Sequence, residues 1–158
     1  MKILNFLFGF MVVALSACGQ KPSKLPATAT TKKTNAMEWN KLTKEEERVI
    51  VNKGTEYPGS GDLLKNTQKG TYVCKRCNAA LYKYDSKFDS HCGWPSFDDE
   101  IKGSVKRISD PDGMRTEIVC ANCDAHLGHV FLGEGFTQKN TRHCVNSISM
   151  LFVPEQKN

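Results

Sequence analysis

The chain has 158 residues, 39% of them hydrophobic and 25% charged, and a formal net charge of +5. This is room for one domain, with the composition of a globular protein. Basic residues are scattered, and Lys32-Lys33, the one basic pair of the N-terminal tail, has no aromatic residue among it. Nucleic acid is therefore excluded as an expected partner.

In chain order, Lys2 precedes an almost wholly apolar run over residues 3–15. The run is too short to span a bilayer and suits the hydrophobic part of a signal peptide. Leu15-Ser16-Ala17-Cys18 resembles the lipobox of bacterial lipoproteins, which are cut before a cysteine whose thiol carries a diacylglycerol. The expectation is a signal peptide over 1–17, lipidation at Cys18, and a flexible tether over 18–36, rich in Lys, Pro, Ser, Thr and Ala. That implies a membrane-anchored protein of the cell envelope. Gly19 after the cysteine favours the outer membrane and periplasm in a cell with two membranes. An uncleaved anchor and an ordinary signal peptide are the competing readings.

The folded domain is expected over 37–154. Thr43-Lys44-Glu45-Glu46 is a capping-box sequence, predicting a short N-terminal helix over 44–53 with Gly54 as its stop. Strands are predicted over 71–74, 81–84, 105–108, 116–119, 129–132, 143–146 and 149–153, with Asp110-Pro111-Asp112-Gly113 as a turn. The fold class is mainly β, in antiparallel sheets.

Seven cysteines cannot form a simple closed set of disulfides. With Cys18 in the leader, six remain. Cys74-Lys75-Arg76-Cys77 and Cys120-Ala121-Asn122-Cys123 are two C-x-x-C knuckles, 42 residues apart. Two knuckles can give one tetrahedral zinc four thiolates and no open position, which makes its role structural. Two disulfides in an exported protein, or a redox C-x-x-C, are the alternatives.

Cys92 and Cys144 are left over. A cysteine in a strand is often a small buried hydrophobe. Cys144, however, has Arg142 and His143 beside it to lower its pKa, and Asn146 and Ser147 to orient a polar group. An exported zinc-ribbon binding module with inert thiols, or a disulfide-rich adhesin, would use the same cysteines differently.

The strings Cys-x-x-Cys, Cys92-Gly93-Trp94-Pro95-Ser96-Phe97, Cys-x-x-Cys-Asp124-Ala125-His126-Leu127-Gly128-His129-Val130-Phe131 and Arg142-His143-Cys144-Val145-Asn146-Ser147 run in that order. Together they resemble the B-type methionine-R-sulfoxide reductases over roughly residues 38–153. The resemblance implies a barrel-like fold stapled by one structural zinc on Cys74, Cys77, Cys120 and Cys123. It implies Cys144 as nucleophile, Cys92 as resolving cysteine, and Trp94, His126, His129, Arg142 and Asn146 around the substrate. In that scheme His129 is the proton donor to the sulfoxide oxygen, and His126 holds a water or the same oxygen. Oxidised proteins are the implied substrates, a thioredoxin-like dithiol the reductant, and a monomer the working form. Two departures stand out: His91 occupies a position usually glycine, and residues 137–141 lack the glycine usual before the Arg-x-Cys motif.

Overall fold

The computed structural model describes residues 39–156. The expected signal peptide, the lipidation site Cys18 and the tether lie outside the described residues.

Helix α1, Lys44–Ile50, begins with the expected reciprocal cap. The Glu46 N–H donates to Thr43 Oγ1 at 3.3 Å, and the Thr43 N–H donates to Glu46 Oε2 at 2.7 Å. Glu45, Glu46 and Glu47 in the first turn face the positive end of the helix dipole. Val49 and Ile50 are its buried residues. The helix ends three residues before the predicted limit. Lys53, at φ 57°, makes the left-handed turn assigned to Gly54. Gly54 is needed for room instead: a Cβ there would sit 2.7 Å from the Arg48 carbonyl oxygen.

Among the described residues nine strands follow: β1 Gly70–Cys74, β2 Ala80–Lys83, β3 Lys87–Phe88, β4 Ser96–Phe97, β5 Val105–Ser109, β6 Thr116–Cys120, β7 His126–Leu132, β8 Thr141–Val145 and β9 Met150–Pro154. All pairings are antiparallel. They form a three-stranded sheet, β2-β1-β9, and a six-stranded sheet, β3-β4-β8-β7-β6-β5. The mainly β, antiparallel expectation with one short helix holds. Strands β3 and β4 were not predicted, because two residues are too few to display alternation. Strand β7 starts at His126, three residues before the predicted start. At Gly128 its backbone passes so close to β8 that a Cβ would collide with the Cys144 carbonyl oxygen.

The core lies between the sheets. Tyr72, Tyr82, Phe97, Ile118, Leu127 and Val145 are fully buried. Phe97 of β4 stacks on Tyr82 at 4.3 Å and meets Tyr72 edge-on at 4.9 Å, joining the large sheet to the small one. Alternation along β8 then divides its side chains. Val145 and His143 point into the core, while Arg142 and Cys144 point to the opposite face, where His129 of β7 pairs with Cys144 and Phe131 with Arg142. Among the described residues no helix is long and apolar enough to cross a membrane.

Candidate metal centre and thiol site

Each C-x-x-C pair closes the turn of a hairpin, and the two turns are built alike. The Cys74 N–H donates to Ala79 O and the Asn78 N–H to Cys74 O; likewise the Cys120 N–H donates to Ala125 O and the Asp124 N–H to Cys120 O. Asn78 at φ 61° and Asp124 at φ 56° supply the left-handed residue in each; among non-glycine residues, Asn and Asp adopt it most readily. One knuckle belongs to the small sheet and one to the large, so a bond between them ties the sheets together.

All four sulfurs lie within 4.8 Å of one another, and the thiols are free. Cys74 meets Cys123, and Cys77 meets Cys120, at 3.6 Å. Sulfurs at the corners of a tetrahedron with bonds of about 2.3 Å stand about 3.8 Å apart, so the set fits a metal such as zinc. Two disulfides, one within each knuckle, do not describe these free thiols. The clustering sets proton affinities in conflict: hydrogen bonding from Cys74 draws Cys120 down to about 5, while burial pushes Cys123 up to about 12. A dication resolves that conflict by taking all four as thiolates.

Cys144, on β8, and Cys92, in the loop from β3 to β4, have their sulfurs 3.7 Å apart. Beside them lies a cavity of about 150 Å³ lined by Thr55, Trp94, Arg115, Gly128, His129, Phe131, Cys144 and Asn146. Of the residues expected around a substrate, this cavity gathers Trp94, His129, Cys144 and Asn146. The Trp94 indole N–H donates to Glu56 O at 3.2 Å, which fixes the ring as one wall.

The remaining expected residues sit further out. Arg142 donates to Glu134 through both Nε (2.7 Å) and Nη2 (2.8 Å) and stacks over Phe131 at 4.4 Å, outside the cavity lining. His126 is buried behind His129, their ring centroids 5.7 Å apart. Its Nδ1 is 2.7 Å from Glu117 Oε1, and its Nε2 has no hydrogen-bond partner. It does not reach the cavity where a water or sulfoxide oxygen was expected. Burial lowers its pKa, with Glu117 opposing.

Three readings of the motif around Cys144 need correction. His143 cannot assist that thiol: adjacent strand residues point to opposite faces, and its Nδ1 meets the Tyr82 hydroxyl at 3.0 Å in the core. Burial, then the Arg107 charge, lowers His143 to about 4. Ser147 Oγ accepts the Leu63 N–H, away from the cavity. Asn146 lines the cavity but spends its amide on the frame, accepting the Glu56 N–H at 3.1 Å and donating to Leu127 O at 3.1 Å.

The Cys144 thiol also differs from expectation. Burial pushes Cys144 up to about 12 and the nearby Cys92 adds to this, outweighing Arg142. Burial also opposes ionisation at Cys92. There, hydrogen bonds from Ser90 and Ser96 hydroxyls and the Trp94 backbone outweigh it and bring the pKa below the usual thiol value.

Several contributors were not identified from sequence. Phe131 was readable as the same-face neighbour of His129, two positions along the strand. Asp110, read only as a turn residue, has Oδ2 3.3 Å from His129 Nε2. Thr55, Glu56, Arg115 and Glu117 had no local signal.

The two-sheet β domain thus carries a four-cysteine cluster between its sheets and a separate pair of free thiols beside a small cavity. The chain belongs to the SelR domain family, which matches residues 42–154. It is 54% identical over 120 residues to peptide methionine sulfoxide reductase B2, chloroplastic, of Arabidopsis thaliana, covering 75% of this chain and 59% of that protein. Peptide methionine sulfoxide reductase B7 of the same plant is 49% identical over 130 residues, covering 81% of this chain and 90% of that protein. The crystal structure of the Mis18 'Yippee-like' domain covers 57% of this chain and 100% of that chain at 15% identity; with a TM-score of 0.44, the likeness is too loose to define the fold.

Proposed function

We propose that the protein reduces the R epimer of methionine sulfoxide in oxidised proteins. The observation that carries this reading is the pair of free thiols, Cys92 and Cys144, 3.7 Å apart at the cavity. A methyl sulfoxide is apolar at its methyl and strongly polar at its oxygen. Trp94 and Phe131 offer apolar faces to the methyl, and His129 stands on the polar side. The choice of epimer rests on the family resemblance.

In the reaction, the Cys144 thiolate attacks the sulfoxide sulfur. The oxygen gains charge and takes a proton, with His129 as donor and His126 supporting it from behind. Methionine leaves and Cys144 becomes a sulfenic acid. Cys92 attacks that sulfur, a Cys92–Cys144 disulfide forms, and the hydroxyl departs as water. An external thioredoxin-like dithiol restores both thiols by exchange. Arg142 positions the substrate indirectly, by holding Phe131 in place, and Asn146 through the cavity frame. A zinc ion on Cys74, Cys77, Cys120 and Cys123 supplies structure only, since four thiolates fill its coordination. The protein works as a monomer, held at the cell envelope by a lipid on Cys18.

Incubating the reduced protein with each methionine sulfoxide epimer, and measuring methionine formed, tests this reading. Turnover of the R epimer supports it; turnover of neither sinks it. Cys18→Ser is expected to move the protein out of the membrane fraction, and unchanged fractionation would remove the anchor.

A further inference from the structure

Residues three apart on a regular strand point to opposite faces. His126 and His129 do not. The register between β6 and β7 pairs Glu117 with His129 and Ile118 with Gly128, then slips, so that Val119 faces His126. The slip leaves Leu127 as an extra residue on β7. This bulge returns His126 to the face that carries His129 and Glu117. The two imidazole rings meet edge to face, their planes at 70°.

Glu117 is buried on that face and engaged at both oxygens. Oε2 accepts at 2.7 Å from Nζ of Lys53, an exposed residue in the left-handed turn after α1. Oε1 lies 2.7 Å from His126 Nδ1. Burial opposes the charge on Glu117, and the hydrogen bonds from Lys53 and His126 outweigh it. A carboxylate accepts and cannot donate, so the proton in the contact with His126 is carried by Nδ1. Burial favours the neutral imidazole, which leaves Nε2 a bare acceptor; that atom is buried with no hydrogen-bond partner among the described residues. Lys53 and His129 are the other titratable groups facing His126.

We propose that Glu117 is a positioning residue for the sulfoxide reaction: clamped by Lys53, it holds His126 in the Nδ1–H form, and His126 fixes the ring of His129 at the cavity wall. The proposal rests on the reductase reading above. In this form His126 has no proton to give the sulfoxide oxygen, since its one N–H is spent on Glu117. The donor is therefore His129 alone, and the Glu117–His126 pair sets where that donor stands.

The test joins imidazole nitrogen NMR to single-turnover methionine release, on the metal-loaded wild type, Glu117→Gln, Lys53→Met and His126→Ala. Metal content and near-ultraviolet circular dichroism check the fold. Wild-type His126 should show a protonated Nδ1 and a bare Nε2 near neutral pH. Glu117→Gln keeps the shape but can offer an N–H to Nδ1, so it should lose the fixed tautomer. At saturating R-sulfoxide it should release methionine about tenfold more slowly. The half-saturating concentration should hardly move, because Trp94 and Phe131 are untouched. Lys53→Met, at the surface, should slow release by a few-fold. Glu117→Gln added to His126→Ala should slow release no further, since Glu117 acts through that ring. A wild-type His126 protonated at Nε2 overturns the proposal, as does a folded Glu117→Gln that keeps either the wild-type rate or the wild-type tautomer. If Glu117→Gln fails to fold, an unchanged rate in Lys53→Met overturns it. A wild type inactive on both epimers sinks the reductase reading instead, while the NMR arm still decides the tautomer.

Discussion

The knuckles and the thiol pair use the same side chain to opposite ends. In the knuckles, four sulfurs are held by matched hairpin turns, deep between two sheets, at spacings that suit one metal ion. In the pair, one sulfur sits on a strand and the other on a loop, beside a cavity, within reach of each other and, at Cys92, of the Ser90 and Ser96 hydroxyls. Neighbours divide the cysteines: four converge where backbone turns can present them to one ion, and two stand beside each other and an opening.

The largest effect expected from breaking this contrast is at the knuckles. Cys120→Ser should lose metal and unfold. A structural zinc site of this kind binds with about 10–16 kcal/mol, which matches or exceeds a domain's net stability of about 5–15 kcal/mol. Metal analysis with circular dichroism checks this; a metal-free, folded mutant would remove the structural-metal claim. Cys144→Ser should instead keep metal and fold yet release no methionine, because a hydroxyl near neutral pH is a poor nucleophile and forms no sulfenic acid.

Phe97→Ala, which parts the aromatic contact between the sheets without touching either set of sulfurs, should cost about 3–5 kcal/mol in denaturant unfolding. His143 gives the same frame a pH dependence. Its folded pKa, near 4, lies below the unfolded value near 6.5, so protonation favours the unfolded chain. Its contribution is complete above pH 6.5 and is lost as pH falls towards 4, by about 3 kcal/mol. Stability of His143→Gln should be flatter across that window. The smallest effect concerns the loop carrying Cys92. His91 is held at φ 57°, a conformation natural to glycine, so His91→Gly should stabilise the fold by up to about 1 kcal/mol in thermal unfolding.

The legible parts of the molecule were those written locally. The capping box at Thr43, the matched knuckles and the motifs around Cys92 and Cys144 each lie within a few residues. His91 was legible as a departure, and its left-handed backbone supplies the reason glycine is usual there. Asn140, at φ 49°, does the same for the loop before Arg142. What could not be read depends on contacts distant in sequence. Glu56 accepts the backbone N–H groups of Ser147 and Ile148 while its own backbone holds Trp94 and Asn146, and no local pattern announces this. The acidity of Cys144 was misjudged because the charge near it was read without its burial. His143 was misplaced for a simpler reason: strand alternation alone puts it on the face opposite Cys144.

The contrast between the two sets of cysteines is tested most directly by mapping thiols and metal in one sample. The reduced, metal-loaded protein is given excess methionine R-sulfoxide without reductant, then analysed for metal content and by mass spectrometry of its disulfides. The expected result is two thiols lost per chain, all in a Cys92–Cys144 disulfide, with the metal retained on the knuckles. Disulfides within Cys74–Cys77 or Cys120–Cys123, accompanied by release of the metal, would contradict it.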